Sequence, residues 1–268
     1  MRISLIQLDV DPAESLPDRR RRVADLVRGL PDSDLVVLPE LWTVGAFSFD
    51  DFAASAEPLD GPTLRMLAAA AADAGSRVHA GSIVERDDRG RLHNTSLLLG
   101  PDGQLQRTYR KIHRFGFDSG EAVLMEAGSE IVTAPAGPTT LGLATCYDLR
   151  FPEQFRLLVD AGAELLVLCA GWPAARLGHW SVLARARAVE SQAYVLACGT
   201  AGTHAGVEMA GHSLVVDPRG EVVAEAGAAE QVLTVDIDPA LVRTVRADFP
   251  ALRDRVLALP LPAPLPTA

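Results

Sequence analysis

Short apolar, strand-like runs alternate with amphipathic helical stretches along almost the whole chain, and that alternation constrains its fold more than any other feature. RISLIQL near the N-terminus reads as a strand, and Val23, Leu26, Val27 and Leu30 then recur at helical spacing. LVVLPE (35–40) reads as a short buried strand stopped by proline, and TLRMLAAAAADAG as a helix ending at Gly75. RVHAGSIVE and HNTSLLLG follow as strands, after which PDG (101–103) turns the chain into QLQRTYR. The second half repeats the style, with strands TTLGLATC, AELLVLCA and QAYVLACG separated by helices over FPEQFRLLVDAG and 177–191. GHSLVVDPRGEVVAEAG reads as a hairpin turning at DPRG, QVLTVDI as a further strand, and DPALVRTVRADFPALRDRV as a late helix. Hairpins mixed with strand–helix units predict an α+β fold whose mixed sheet is helix-covered on one face and packed on another sheet. No linker divides the 268 residues, so a single domain over 1–268 is expected, with a proline-rich tail at about 259–268.

Charge and cysteine content narrow the function. A net charge of −10 argues against nucleic acid or an anionic membrane as partner, since both demand a basic face. The one compact basic cluster, Arg19–Arg22, falls in a helical pattern and reads as a solvated helix face. The chain enters a strand at once, without a charged-then-apolar leader, and no apolar run reaches the roughly 18–20 residues of a membrane span. Cys146, Cys169 and Cys198 are odd in number and far apart, which excludes a disulfide framework and fits a reducing cytoplasm. With neither a CxxC pair nor HExxH, no dedicated zinc site is expected.

Three residues could carry chemistry. Cys146 ends the run GLATC just before a turn and a helix, and strand carboxyl ends are where sites collect in sheets of this kind. Taken alone it reads as readily as a packed thiol, the reading that Cys169 and Cys198 receive inside LLVLCA and YVLACG. A cysteine nucleophile needs a base and something to hold an oxyanion. None of the six histidines shows a Cys–His signature. Glu40, closing VVLPE, could serve as the base if burial raises its affinity for a proton. Lys111 in TYRKIH supplies a compact cation suited to an oxyanion, although in isolation it could equally be a surface lysine.

LPELW around Glu40, HNTSLLLGPDG with YRKIH around Lys111, and GLATCYDLRFPE around Cys146 resemble, in order, the catalytic blocks of the nitrilase-like carbon–nitrogen hydrolases. The likeness continues through HWSVLARARAVESQAYV (179–195) and GHSLVVDPRGEVVAEAG (211–227), covering nearly the whole chain. It implies a four-layer αββα sandwich, a Glu40–Lys111–Cys146 triad that hydrolyses small amides through a thioester, and dimers or larger homo-oligomers joined by sandwich faces. It requires no metal or organic cofactor. The backbone N–H of Tyr147 is the expected second oxyanion donor. A second positioning glutamate follows the lysine in this family, and by the pattern of an acid before a small residue it is Glu126, with Glu121 in reserve. Trp172, Arg176 and His179 in AGWPAARLGHW fall where the family borders its pocket, Arg176 being suited to grip a substrate carboxylate. Arg150 is expected to be structural, paired with Asp148 or Glu153. The amidase branch is the better match, which implies an ω-amidase or deaminated-glutathione-amidase activity. N-carbamoyl amide or nitrile hydrolysis is the enzymatic alternative, and a non-catalytic binding module the alternative of another class.

Overall fold

A computed structural model describes residues 1–257, so the tail expected at 259–268 lies outside the described residues. The chain opens with β1 (Arg2–Asp9), α1 (Leu16–Arg28) and β2 (Leu35–Val37), then passes the short α2 (Phe52–Ser55) to reach α3 (Pro62–Ala74). Next come β3 (Arg77–Arg86), β4 (Leu92–Leu99) and β5 (Leu105–Arg110). Strands β1, β2 and β3 pair in parallel, and β3, β4 and β5 continue the same sheet as an antiparallel meander.

A one-turn helix, α4 (Glu121–Leu124), precedes the second sheet, whose strands are β6 (Thr133–Ala136), β7 (Thr139–Thr145), β8 (Leu165–Cys169) and β9 (Tyr194–Cys198). Helices α5 (Pro152–Asp160) and α6 (Leu177–Ser191) make the crossovers that allow β7, β8 and β9 to run parallel. The short β10 (Thr200–Ala201) returns to β1 in the first sheet, and β11 (Thr203–His204) with β12 (Val207–Glu208) forms a small hairpin. Strands β13 (Leu214–Val216) and β14 (Val222–Glu225) complete the second sheet, β15 (Gln231–Asp236) lines the first antiparallel to β1, and α7 (Ala240–Asp248) ends the regular structure.

The period-two alternation of strand side chains explains why the central strands read as unbroken apolar runs: both faces are buried. Leu141 and Leu143 of β7, Leu165 and Val167 of β8, and Leu196 of β9 share a core with Ile3, Leu5, Leu35 and Val37 of the first sheet. Their neighbours Leu166, Leu168, Val195 and Ala197 pack instead with Phe155 of α5 and Trp180 and Ala184 of α6. On the far side of the first sheet, Ile6, Leu8, Val36 and Val78 pack with Val23 and Val27 of α1 and Leu67 and Ala71 of α3. Each fully buried Leu or Val contributes about 1.5–3 kcal/mol. The chain is thus α+β, as its pattern predicts.

Two local expectations are corrected. The late helix stops at Asp248, because Pro250 disfavours helical backbone at Phe249, which sits at φ −134° and ψ 89°. The Arg19–Arg22 cluster is not a solvated face. Arg19 is buried and donates to the Thr43, Asp11 and Glu14 carbonyls, while Arg20 pairs with Glu57 and Arg22 with Glu14 and Glu230. Arg21 alone of the four is exposed. Among the described residues no helix is long and apolar enough to cross a membrane.

Candidate active site

Four strand ends converge on one spot. Proline stops the pairing of β2, and the next residues turn over a kink in β3, where Gly81 adopts φ +63° and leaves no room for a Cβ against the Pro39 carbonyl. Ser82 Oγ accepts the Leu41 N–H at 3.0 Å and Trp42 Nε1 donates to the Ala80 carbonyl at 2.9 Å, which fixes the turn carrying Glu40. Lys111 follows β5 directly, its N–H donating to the Asn94 carbonyl of β4 at 2.9 Å. Cys146 is the first residue after β7, and Gly171 lies just beyond β8.

Glu40, Lys111 and Glu121 are 1%, 2% and 3% exposed, and they form one hydrogen-bonded cluster. Lys111 Nζ donates to Glu40 Oε1 at 2.7 Å and to Glu121 Oε2 at 2.6 Å. Asn94 Nδ2 donates to the other side of the same pair, to Glu40 Oε1 at 2.8 Å and Glu121 Oε1 at 2.6 Å. Glu40 Oε2 accepts the Gly171 N–H at 2.8 Å, and the Cys146 thiol lies 3.8 Å from the Gly171 carbonyl. Burial opposes the Lys111 charge, but Glu121 and Glu40 outweigh it and hold the ammonium well above its usual range. Burial, and after it the Glu40 carboxylate, push the Cys146 thiol well up against the pull of Lys111. A resting thiol beside a fixed ammonium and a carboxylate follows.

Cys146 has φ +46°, a left-handed backbone that a non-glycine residue adopts only when its surroundings enforce it. Here the enforcement is Asp148. In the tight turn Cys146–Arg150 the Asp148 carboxylate accepts the Thr145 N–H at 2.8 Å while the Thr145 side chain accepts the Asp148 N–H in return. The same buried carboxylate accepts from Tyr109 Oη at 2.6 Å and from the His113 N–H at 3.1 Å. The turn holding Cys146 is therefore tied to the strand that delivers Lys111.

These groups open into a pocket with aromatic walls from Phe47, Phe115, Tyr147 and Trp172. Two guanidinium groups stand in its lining. Arg150 lies 5.0 Å over the Trp172 ring and meets His179 Nδ1 at 3.2 Å, and Arg176 lies 5.9 Å from the Phe115 centroid. Among the described residues neither is bridged to a carboxylate, in contrast to Arg187 nearby, which pairs with Glu190 at 2.7 Å.

The structure brings Glu40, Lys111, Cys146, Tyr147, Trp172 and Arg176 together in this pocket and revises three other expectations. Glu126 is exposed, its N–H donating to the Leu92 carbonyl, whereas Glu121 meets Lys111. The chain turns inward earlier than local composition suggests: Gly120, at φ +57°, packs so tightly on Phe49 that a Cβ would sit 2.8 Å from Cζ, and α4 begins there with Glu121. His179 is exposed on α6 and reaches the pocket only through Arg150. Arg150 is not paired to Asp148, whose oxygens are taken by Thr145, Tyr109 and His113. Asn94 carries no signal in the sequence, one amide within the polar run His93–Ser96, until its neighbours are known. Among the described residues no group of three or more His, Cys, Asp or Glu side chains is arranged to hold a metal ion.

The profile of the carbon–nitrogen hydrolase family matches residues 2–247. The chain is 41% identical to a 2-oxoglutaramate amidase of Paenarthrobacter nicotinovorans, over 94% of this chain and 88% of that protein. It is 30% identical to the ω-amidase NIT3 of Saccharomyces cerevisiae over 95% of this chain and 93% of the relative. The crystal structure of yeast Nit3, described as a member of branch 10 of the nitrilase superfamily, superposes with a TM-score of 0.86 over 96% of this chain and 97% of that one. XC1258 from Xanthomonas campestris, a CN-hydrolase superfamily protein with an arsenic adduct in its active site, superposes with a TM-score of 0.89 at 34% identity, over 97% and 98% of the two chains.

Proposed function

Because the chain belongs to the carbon–nitrogen hydrolase family, we propose that it is an ω-amidase, releasing ammonia from the terminal amide of a small dicarboxylic acid monoamide of the 2-oxoglutaramate type. The observation that carries this reading is one pocket lined both by the buried Glu40–Lys111 pair with Cys146 and by two guanidinium groups that, among the described residues, meet no carboxylate. Arg150 and Arg176 are suited to a carboxylate, which guanidinium binds in a bidentate fork. A dicarboxylic monoamide has both ends that such a pocket accommodates.

The chemistry proceeds in two halves. Glu40 takes the thiol proton as Cys146 Sγ bonds to the amide carbon, and Lys111 Nζ with the Tyr147 N–H stabilises the tetrahedral oxyanion. Glu40 then passes its proton to the nitrogen as the C–N bond breaks, and ammonia leaves a thioester on Cys146. Water attacks that thioester, gives a proton to Glu40, and the C–S bond breaks to free the acid and restore the thiol. The placement of Glu121 on the far side of Lys111 supports a role in holding the ammonium rather than in moving the proton.

The three core clusters, helix to sheet, sheet to sheet and sheet to helix, support reading the fold as a four-layer αββα sandwich. Exposed Val182 and Val189 on α6, with Val222 and Val223 on β14, favour pairing with a second copy of the chain. Three free thiols fit a reducing compartment such as the cytoplasm.

Ammonia release is the test, measured on monoamides of glutarate, 2-oxoglutarate and succinate, and on an N-carbamoyl amine and a nitrile. Turnover should be confined to the monoamides, and Cys146→Ala should abolish it with the circular dichroism spectrum unchanged. Cys146→Ser should be nearly as inactive. Turnover by Cys146→Ala would sink the thioester route, and activity on the nitrile or carbamoyl compound alone would replace the ω-amidase reading.

A further inference from the structure

The geometry points to Asn94 as a positioning residue for the hydrolytic reaction, one that sets Glu40 and Glu121 around Lys111 without touching substrate. The inference rests on the reading of Glu40, Lys111 and Cys146 as the reacting groups.

Both N–H bonds of the Asn94 amide are committed, one to each carboxylate, at 2.8 Å and 2.6 Å. Lys111 Nζ makes the same two partnerships from the other side, at 2.7 Å and 2.6 Å. Glu40 Oε1 therefore receives two donors, which fixes the plane of the carboxylate and leaves Oε2, held by the Gly171 N–H, as the oxygen on the side of the thiol. Two buried carboxylates repel one another, and one ammonium cannot neutralise both. An amide offers two further donors with no added charge, which a lysine or an acid at that position could not do.

The arrangement has a cost that follows from the same geometry. Among the described residues the buried Asn94 Oδ1 has no hydrogen-bond partner. The amide cannot flip to relieve it, because the flip would set a carbonyl oxygen against Glu40 Oε1 and Glu121 Oε1. The orphaned oxygen is the consequence of pointing both N–H bonds at the two acids. Asn94 is also locked in register, since its own carbonyl accepts the Lys111 N–H.

Two variants test the proposal, each followed by steady-state kinetics and by the pH dependence of Cys146 alkylation with iodoacetamide, which needs no substrate. Asn94→Leu removes both donors at similar volume and should lower kcat by about 100-fold with KM within about threefold of the parent. Its alkylation profile should shift along the pH axis as Glu40 loses its fixed orientation. Asn94→Asp is nearly isosteric and places a third carboxylate in the cluster. It should lose a similar factor at neutral pH and regain part of it as pH falls, because the protonated acid can again donate one hydrogen bond. Parental kcat and a superimposable alkylation profile in either folded variant would overturn the proposal, and if Asn94→Leu does not fold, Asn94→Asp decides alone. An inert parent enzyme would defeat the amidase reading instead, while the alkylation profiles would still report on Asn94.

Discussion

Glu40 Oε2 accepts the Gly171 N–H at 2.8 Å across 131 residues of sequence, joining the end of β2 in the first sheet to the end of β8 in the second. The bond sets the Glu40 carboxylate against the backbone that flanks the Cys146 thiol, so the spacing of the proposed base and nucleophile depends on how the two sheets dock. Gly171 leaves no room for adjustment: a Cβ there would collide with Ala46 and sit 3.5 Å from Glu40 Oε2. Gly171→Ala should therefore lower kcat by roughly 10–100-fold, the scale of a small misplacement of reacting groups, with a smaller effect on thermal stability. Kinetics and a melting curve on one preparation check this.

Glu121 and Glu126 should separate sharply. Removing the charge in Glu121→Gln leaves Lys111 with one anionic partner and should reduce kcat about 100-fold or more. Glu126→Gln alters an exposed side chain and should stay within about twofold of the parent. Steady-state rates on the same amide decide, and equal losses in both would reverse the placement of the positioning acid.

The pocket cations should act on binding. Arg150→Gln and Arg176→Gln should each raise KM for an ω-monoamide by roughly 10-fold, with little change in kcat. An uncharged amide of the same length should not distinguish either variant from the parent. A matched substrate pair, one with and one without the distal carboxylate, makes the comparison, and equal losses on both would deny the carboxylate grip.

His79, on β3, is wholly buried, both ring nitrogens lack partners among the described residues, and burial lowers its pKa from 6.5 to about 4. The native state thus takes up this proton less readily than the unfolded chain, which binds it near 6.5. Its contribution to stability is full above pH 6.5 and is lost as pH falls towards 4, by roughly 3 kcal/mol over that window. His79→Leu should flatten that part of the stability curve and melt higher than the parent at pH 5. Denaturant titrations at pH 7 and pH 5 give the two differences; the same gap at both would exclude His79 as the source.

Glu40, Lys111 and Cys146 could be placed because LPELW, YRKIH and GLATCYDLRFPE resemble the blocks of one family in order; position alone left Lys111 and Cys146 open, since a strand such as LQRTYR gives a lysine at its end no distinction. Glu121 stood only in reserve, because it enters through an irregular loop where Gly120 pressed on Phe49 decides which acid turns inward. The family pattern of an acid before a small residue favours Glu126. Arg150 shows a second limit. Asp148 and Glu153 stand close in sequence as partners, but the Asp148 oxygens are already filled by Thr145, Tyr109 and His113, and such saturation exists only in three dimensions. The layered fold was more accessible, since β8 (LLVLC) and β9 (YVLAC) are continuous apolar runs that need cover on both sides. The late helix was overextended because its amphipathic pattern runs past Pro250, where the backbone cannot follow.

The left-handed backbone at Cys146 sets the fold and the chemistry at odds. Glycine would occupy that conformation without strain and would relax the turn by roughly 1 kcal/mol. Thermodynamic preference at the centre of this pocket therefore points away from the thiol proposed as the nucleophile. Variants selected for heat resistance alone would be drawn towards losing the thiol, and any effort to harden this protein must protect position 146 from its own success.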